Sequence, residues 1–241
     1  DQIDLSKHLG LDQKTKELLV APADNVTNFE GIQFLVENPY WEGAKISLYS
    51  AGEESIASMP NIKVGKFITQ VILQNIEVED IDLSNATDLR SAWVQNNPAL
   101  QKLDLSYSTI WGQGDKETEG NGTYGSSLMV LGCPILKEIK LPEKNELKAY
   151  RIDIECLDAL ETFDMSNVKM VAELSIGDLN KDFNLVYPEL TIFYSEDGYA
   201  GTYFACSENT FYRESTQAFL KANYTDIDPD DTVRRLGYTS S

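Results

Sequence analysis

Apolar residues recur along the middle of the chain in short units that share one spacing. Val78, Ile81 and Leu83 stand at offsets 0, 3 and 5 of one unit. Units with the same offsets begin at Ile68, Leu89, Leu100, Gly125, Leu136, Leu147, Leu160 and Val171. Because side chains alternate along a strand, offsets 3 and 5 lie on one face of a short strand. A single unit cannot bury that face alone, so the fixed period predicts a solenoid of stacked coils.

The units alternate between two sequence types. VEDIDLS, LQKLDLS, LKEIKLP and LETFDMS form one series, and LRSAWVQ, LKAYRID and VAELSIG form the other. One coil therefore holds a unit of each type, about 22 residues, and has two different faces. The first series places charged residues such as Asp82 and Lys102 on the outside. The outward residues of the second series include Ile72, Trp93, Gln95, Met129, Leu131 and Arg151, a stripe unusually apolar for a monomer.

These repeats resemble those of a known family. "LQKLDLS" and "LRSAWVQNN" resemble the two halves of the leucine-rich repeats in secreted and surface proteins of Bacteroidetes, over about residues 66 to 177. The resemblance implies a right-handed leucine-rich-repeat solenoid, mainly parallel β with little helix, capped at both ends. Lys140 and Pro142 depart from the usual Asp and Ser of the family pattern. Because the family binds many unrelated ligands, the resemblance implies an architecture and not a particular function.

The segments outside the repeats are expected to close the two ends of the stack. Asp12 is expected to N-cap a helix at 14–20, and "AKISLYS" is expected to form a strand. Near the other end, "LTIFYS" indicates a strand, and "ENTFYRESTQAFLKANY" indicates an amphipathic helix with Phe211 and Phe219 on its inner face. The expected division is an N-terminal capping region at 1–65, the repeats at 66–177, and a C-terminal cap with a polar tail at 178–241.

Two of the three cysteines fall at or near the predicted bends. Cys133 stands at offset 8 of its unit, where Asn97 stands in the Leu89 unit, and Cys156 stands one place further on. Asn or Cys at this bend of a leucine-rich repeat bonds inward to backbone, so the resemblance implies that both are buried structural thiols. A disulfide between them is compatible with the distance between adjacent coils, which would leave Cys206 unpaired.

The charge balance limits the partners that the chain can bind. With a formal net charge of −19 and a pI near 4.3, we expect it to repel nucleic acid and anionic membrane surfaces. No apolar run approaches transmembrane length, and the chain opens at Asp1 without a methionine, which predicts a removed leader or tag. These features favour an extracytoplasmic bacterial protein, secreted or anchored at the outer membrane or cell surface, that acts as a monomer.

Histidine and cysteine, which supply most nucleophile–base pairs and zinc sites, are scarce in this chain. His8 is the only histidine, which disfavours a Ser-His or Cys-His nucleophile and metal sites rich in His. The glycine-rich segment at 112–125 lacks the Lys-Ser/Thr end of a phosphate-binding loop. The aspartates at 226, 228 and 230 alternate as in a calcium loop, but that loop's glycine and glutamate do not follow. We therefore expect no enzyme activity, no cofactor and no metal.

An insertion interrupts the period between Leu100 and Gly125. Its residues, 111–124, cannot continue an apolar core, and loops inserted on a rigid scaffold commonly carry recognition. This loop is expected either to cover the apolar stripe or to form one wall of a groove beside it. The predicted binding residues are Trp93, Trp111, Tyr124, Met129 and Arg151.

Together these features predict a non-catalytic recognition module that binds a protein partner. Three alternatives stay open. In a glycan-binding surface protein, Trp93, Trp111 and Tyr124 would stack on sugar rings. In a glycan-active enzyme, a pair of carboxylates would act as acid and base. A purely structural envelope protein would have no soluble ligand.

Overall fold

The fold is that of a computed structural model, which describes residues 11–12, 17–37, 43–51, 55–113, 125–144, 146–180, 182–191, 195–196, 199–200 and 202–223. The strands are β1 (Leu11–Asp12), β2 (Glu17–Val20), β3 (Lys45–Tyr49), β4 (Ala57–Ser58), β5 (Ile62–Lys63), β6 (Gln70–Gln74), β7 (Ile76–Glu77), β8 (Ile81–Asp82), β9 (Ser91–Gln95), β10 (Lys102–Asp104), β11 (Ser127–Leu131), β12 (Glu138–Lys140), β13 (Leu147–Glu155), β14 (Thr162–Asp164), β15 (Val168–Gly177), β16 (Asn184–Val186), β17 (Ser195–Glu196), β18 (Tyr199–Ala200) and β19 (Tyr203–Cys206). The helices are α1 (Ile32–Val36), α2 (Glu208–Phe211), α3 (Glu214–Asn223) and a 3-10 turn at Pro22–Asp24. Among the described residues, no helix has both the length and the apolar character needed to cross a membrane.

One large sheet contains strands from β1 near the start of the described chain to β19 near its end. Its strands are hydrogen-bonded in the order β1-β2-β3-β6-β9-β11-β13-β15-β19, which is also their order in the sequence. The β1–β2 pair is antiparallel, and every later pair in this sheet is parallel. The prediction of a mainly parallel β fold with little helix is confirmed.

Short parallel pairs form a second set of strands. They are β4–β7, β5–β8, β10–β12 and β14–β16. In the sequence these strands alternate with the strands of the large sheet, so the chain passes from one set to the other and back. The large sheet extends beyond the predicted repeat region at both ends, with β2 and β3 before it and β19 after it.

The predicted inward positions form the core. Leu103 and Leu105, at offsets 3 and 5 of one unit, are each 1% exposed, and Leu100 at offset 0 is fully buried. The unit predicted to begin at Leu147 is set two residues too early, because Tyr150 is only partly buried. The pairing aligns Ile152 with Leu128, so the inward triplet of this unit is Ala149, Ile152 and Ile154, all fully buried.

The helix predicted at 14–20 is wrong at its described end. Residues 17–20 form β2, which pairs in parallel with β3. Leu18 and Val20 are buried there, while Leu19 between them is exposed, and this alternation is that of a half-buried strand. Tertiary pairing outweighs the local helix signal.

The helix predicted at the C-terminal end is confirmed, although it is divided into α2 and α3. Phe211 and Phe219 are buried as predicted. The ring of Phe219 stacks on Tyr187 with centroids 4.6 Å apart and lies 5.4 Å from Phe204, which closes the apolar core beyond β15. The strand predicted for "LTIFYS" falls at residues 190–195, of which 192–194 lie outside the described residues.

The "DLS" motif has a local cause. Asp82, Asp104 and Asp164 each accept a hydrogen bond from the backbone N–H of the serine two residues later, at 2.8, 3.0 and 2.8 Å. This Asx turn ends the short strand and starts the bend that follows. The motif therefore recurs because the chain has to turn at the same place after each of these strands.

A left-handed residue follows five strands of the large sheet. We call these five residues the bend ladder: Asn75, Asn96, Gly132, Cys156 and Asp178, with φ of 56, 53, 63, 54 and 41°. Asn96 Nδ2 donates a 2.7 Å hydrogen bond to Asn75 Oδ1. A Cβ atom on Gly132 would lie 2.6 Å from Asn96 Oδ1, so glycine is required there for space as well as for φ.

The next position along the chain points inward. Asn97 is fully buried, donates to the Val78 carbonyl at 3.2 Å and accepts from the Leu100 N–H at 3.0 Å. Cys133 occupies the equivalent position and is also fully buried, as predicted. Cys156 is exposed and belongs to the bend ladder, so its predicted burial is wrong. All three cysteines are free thiols, and the Cys133–Cys156 disulfide is absent.

Candidate functional site

One row of outward side chains crosses the large sheet. The register places these residues side by side: Leu19, Ser47, Ile72, Trp93, Met129, Asp153, Ser175 and Ala205. We call this set the outer row. On each strand, the residues directly before and after the outer-row member point into the core. The outer row therefore forms the centre line of the sheet's outer face.

The middle of the outer row is apolar. Trp93 pairs directly with Ile72 on one side and with Met129 on the other. Ile72 is 9% exposed, and Trp93, Met129 and Leu131 are partly exposed. Side chains on adjacent parallel strands lie about 4.8 Å apart, so Ile72, Trp93 and Met129 make one continuous apolar patch. Leu131 extends it, because it stands two residues after Met129 on β11 and points to the same side.

A charged cluster borders this patch. Arg151 Nη2 contacts Asp153 Oδ2 at 3.0 Å, and Arg151 Nη1 lies 3.6 Å from Glu173 Oε2. The Tyr150 hydroxyl donates to Glu173 Oε1 at 3.2 Å. Burial raises the pKa of Asp153, and Arg151 and the nearby hydroxyl of Ser175 only partly offset it. That hydroxyl does not form a normal hydrogen bond with Asp153 Oδ1.

Two buried polar atoms lack a hydrogen-bond partner in the part of the chain that the structure describes. They are Trp93 Nε1 and Asp153 Oδ1, and both belong to the outer row on either side of Met129. Such atoms are rare in folded proteins because each costs about 1 to 3 kcal/mol. On this face, both atoms therefore lack the hydrogen bond that buried polar groups normally form.

Three of the five predicted binding residues come together on this face. Trp93 and Met129 are neighbours in the outer row, and Arg151 stands on the next strand beside Ser127. Trp111 does not line the face: it is fully buried, and its indole N–H donates to the Ser127 carbonyl at 3.3 Å. Tyr124 lies outside the described residues, as does the insertion from 114 to 124.

The sequence carried a signal for the burial of Trp111. It stands eleven residues after Leu100, where the spacing places the first inward residue of another unit. Its backbone N–H donates to the Ser108 hydroxyl at 2.9 Å, and Ser108 itself donates to the Leu89 carbonyl at 2.6 Å. The indole therefore fills a core position of the repeat rather than the root of a loop.

Sequence analysis missed a second group of polar residues. Glu155, Cys156 and Asp178 place one ligand atom each within 4.8 Å of one another, which is the donor set of a possible metal site. Cys156 and Asp178 are one 22-residue period apart, so the repeat length was the available signal. The two-residue error in the Leu147 unit hid their alignment.

The opposite set of strands has a different character. Lys102 contacts Asp104 and Glu138 at 3.0 and 3.3 Å, Lys140 contacts Glu138 at 3.1 Å, and Lys63 contacts Asp82 at 3.1 Å. These exposed charges are already paired within the chain. These pairs leave fewer free charges on this face for a partner, and exposed ion pairs contribute little stability.

Two clefts lie near the ends of the structure. One, of about 570 Å³, lies between residues 185–190 and α3. The other, of about 400 Å³, includes Gly65–Ile68. Among the described residues, each is lined by a single carboxylate, Glu189 in the first and Glu37 in the second, whereas glycoside hydrolysis requires a pair.

Comparisons of this chain with protein-family models, curated proteins and solved structures returned no match. The features that bear on its function lie on the outer face of the large sheet. That face joins an apolar patch, a guanidinium group and two unpaired buried polar atoms. Such a combination suits non-covalent recognition.

Proposed function

We propose that this chain is a right-handed leucine-rich-repeat solenoid that serves as a non-catalytic recognition module, secreted or tethered to a bacterial envelope. The proposal of a solenoid is supported by the regular return of the chain to the large sheet and by the bend ladder at equivalent places. The ligand is a protein partner, and it binds the outer face around Trp93 and Met129.

The observation that carries the proposal is the patch of Ile72, Trp93, Met129 and Leu131 beside Arg151. Trp, Met and Arg are enriched at protein interfaces, and the binding energy concentrates on a few large anchors. The indole N–H of Trp93 is buried, so the part of Trp93 that a partner contacts is the partly exposed ring. These residues stand on a sheet, so the surface is rigid before binding.

A protein partner is favoured over a glycan by the residues around Trp93. Sugar binding needs aromatic rings with exposed faces and several hydrogen-bonding side chains. Trp111 is buried, and the neighbours of Trp93 in the outer row are Ile72 and Met129. Aliphatic and thioether side chains of this kind pack on protein side chains rather than on sugar hydroxyls.

The test uses a photo-crosslinking amino acid placed at position 129 and, as a control, at position 102 of the charged face. Each protein is irradiated with the extracellular and envelope fraction of the source organism, and the crosslinked protein is identified. The identified partner is then produced, and its affinity is measured for the parent, for Trp93→Ala and for Tyr107→Ala. Tyr107 is a matched aromatic that is 49% exposed outside the large sheet.

We expect one partner specific to position 129, and a loss of affinity of about tenfold or more for Trp93→Ala with no change for Tyr107→Ala. A partner that binds Trp93→Ala as tightly as the parent would place recognition on another surface. A glycan array and a glycan hydrolysis assay on the same sample test the alternatives. If the parent binds or hydrolyses a glycan and Trp93→Ala abolishes that activity, the ligand is a glycan and not a protein.

A further inference from the structure

We propose that Glu155, Cys156 and Asp178 form a binding site for a thiophilic divalent cation of the Zn²⁺ class. The site lies at the bend that follows β13 and β15, at one edge of the outer face. It is independent of the protein-binding role proposed above. The donors are one thiolate and two carboxylates, all on the surface or partly buried.

The fold brings the three donors together through the register of two strands. Glu155 is paired with Gly177, and the Cys156 N–H donates to the Gly177 carbonyl at 3.3 Å. Cys156 and Asp178 then occupy successive steps of the bend ladder. Their ligand atoms and that of Glu155 lie within 4.8 Å of one another. Tetrahedral zinc with bonds of about 2.0 to 2.3 Å needs separations of roughly 3.5 Å, which small side-chain rotations supply.

Gly177 makes room for one of the donors. A Cβ atom at this position would lie 2.9 Å from Glu155 Cγ and 3.1 Å from its Cδ. Any larger residue would push the Glu155 side chain away from β15. Glycine thus lets the Glu155 carboxylate lie across the neighbouring strand, next to Asp178.

The donors lack a positive partner inside the chain. None of the three side chains forms a hydrogen bond or ion pair among the described residues, in contrast to the lysine-paired carboxylates of the opposite face. Negative groups so close together and without a counter-charge repel one another, and a bound cation removes that cost.

Asp153 provides a second, independent observation. Its side chain is 1% exposed, and Oδ1 has no hydrogen-bond partner. Asp153 and Glu155 are alternate residues of β13, so both point to the outer side of the sheet. Arg151 binds the other oxygen, Oδ2. Asp153 thus offers an unpaired buried acceptor on the same side of the sheet as Glu155, suited to a water molecule on the bound cation.

The donor set selects the class of cation. Thiolate ligands favour Zn²⁺ and related ions, whereas Ca²⁺ and Mg²⁺ prefer sites made of oxygen alone. Three protein ligands leave at least one position for water or for a group of a partner. Binding requires the deprotonated Cys156 thiolate, so metal affinity falls as the pH is lowered.

The test titrates the purified reduced chain with Co²⁺ and records the near-ultraviolet absorption of a thiolate-to-cobalt charge transfer. Cys156→Asn removes the thiol and suits the backbone, because Asn75 and Asn96 hold equivalent left-handed positions. Asp178→Asn removes one carboxylate and also tolerates that conformation. Glu79→Gln, an exposed carboxylate elsewhere, controls for the loss of one negative charge. Circular dichroism checks that each variant is folded.

We expect the parent to show the absorption band and Zn²⁺ to abolish it, with little competition from Ca²⁺ or Mg²⁺. Cys156→Asn should lack the band, and Asp178→Asn should lose about tenfold or more in affinity, while Glu79→Gln matches the parent. The proposal is overturned if the parent shows no band at saturating Co²⁺. It is overturned equally if Cys156→Asn keeps the band or if folded Asp178→Asn binds as tightly as the parent.

Discussion

Replacing Leu103 by alanine tests whether the apolar spacing has been assigned to the correct face. Leu103 lies in the middle of β10, opposite Ile139 of β12, and is 1% exposed. Its neighbour Lys102 points outward, with 44% of its side chain exposed. Two adjacent residues of one strand should therefore respond in opposite ways to the same truncation.

The expected magnitude follows from burial. Truncating a fully buried leucine removes its transfer free energy and leaves a cavity, at a cost of about 2 to 5 kcal/mol. Coils stacked on both sides restrict collapse of that cavity, so the value should lie in the upper half of this range. Lys102→Ala removes exposed ion pairs with Asp104 and Glu138 and should cost less than about 1 kcal/mol. Leu103→Asp adds an unpaired buried charge and should prevent stable folding.

Equilibrium unfolding in urea measures both truncations, with tryptophan fluorescence as the probe, to which the buried Trp111 contributes. The free energy of unfolding of a domain is about 5 to 15 kcal/mol, so Leu103→Ala should move the midpoint strongly. The reasoning is refuted if Leu103→Ala and Lys102→Ala lower the free energy of unfolding equally, or if Leu103→Asp folds with the stability of the parent.

Two further predictions concern thiols and pH. A thiol reagent should label the exposed Cys156 in the native protein, although burial and nearby carboxylates raise the pKa of its thiol and slow the reaction. It should reach Cys133 and Cys206 only on unfolding, because both are buried, which also raises their pKa to about 11 and about 12; native labelling of Cys133 would contradict the fold. The Ser84 hydroxyl and N–H lower the pKa of Asp82 from 3.8. This stabilisation is present above pH 3.8 and is lost as the pH falls towards the lowered value. Asp82→Asn should therefore lose less stability than the parent between about pH 6 and about pH 2, measured by urea midpoints.

The inward positions could be predicted from the sequence because they repeat. Leu100, Leu103 and Leu105 are recognisable since a strand alternates sides and each coil needs the same three apolar contacts. The Leu147 unit failed for a physical reason. β13 begins at Leu147 and its pairing with β15 shifts register after that residue, so a buried leucine precedes the true triplet and imitates its first position.

The N-terminal strand could not be predicted in the same way. β2 contributes only Leu18 and Val20 to the core, and two alternating residues are too few to reveal a period. Its conformation depends on the edge that β3 offers. A local capping signal at Asp12 was therefore the stronger feature in the sequence, although the strand pairing determines the structure.

The candidate sites differ in how far the sequence could reveal them. Trp93 and Met129 follow from alternation within one strand, and the register brings them side by side as predicted. The position of Glu155 beside Asp178 depends on the exact alignment of β13 and β15. Because the Leu147 unit was set two residues too early, the sequence placed Cys156 one residue beyond the buried position of Asn97 and Cys133, whereas Cys156 belongs to the exposed bend ladder. Residue types alone could not have corrected this error.

The bend ladder connects the backbone of the fold to the proposed chemistry. Every position needs a positive φ, which Asn, Gly and Asp accept at low cost and most other residues do not. Asn75 and Asn96 use their amides to bond one another, which is a structural solution. Cys156 holds the same conformation at φ 54° without the side-chain amide that makes it favourable. A ladder that served stability alone would carry Asn here, so the thiol next to Glu155 and Asp178 is the step where a ligand best accounts for the residue.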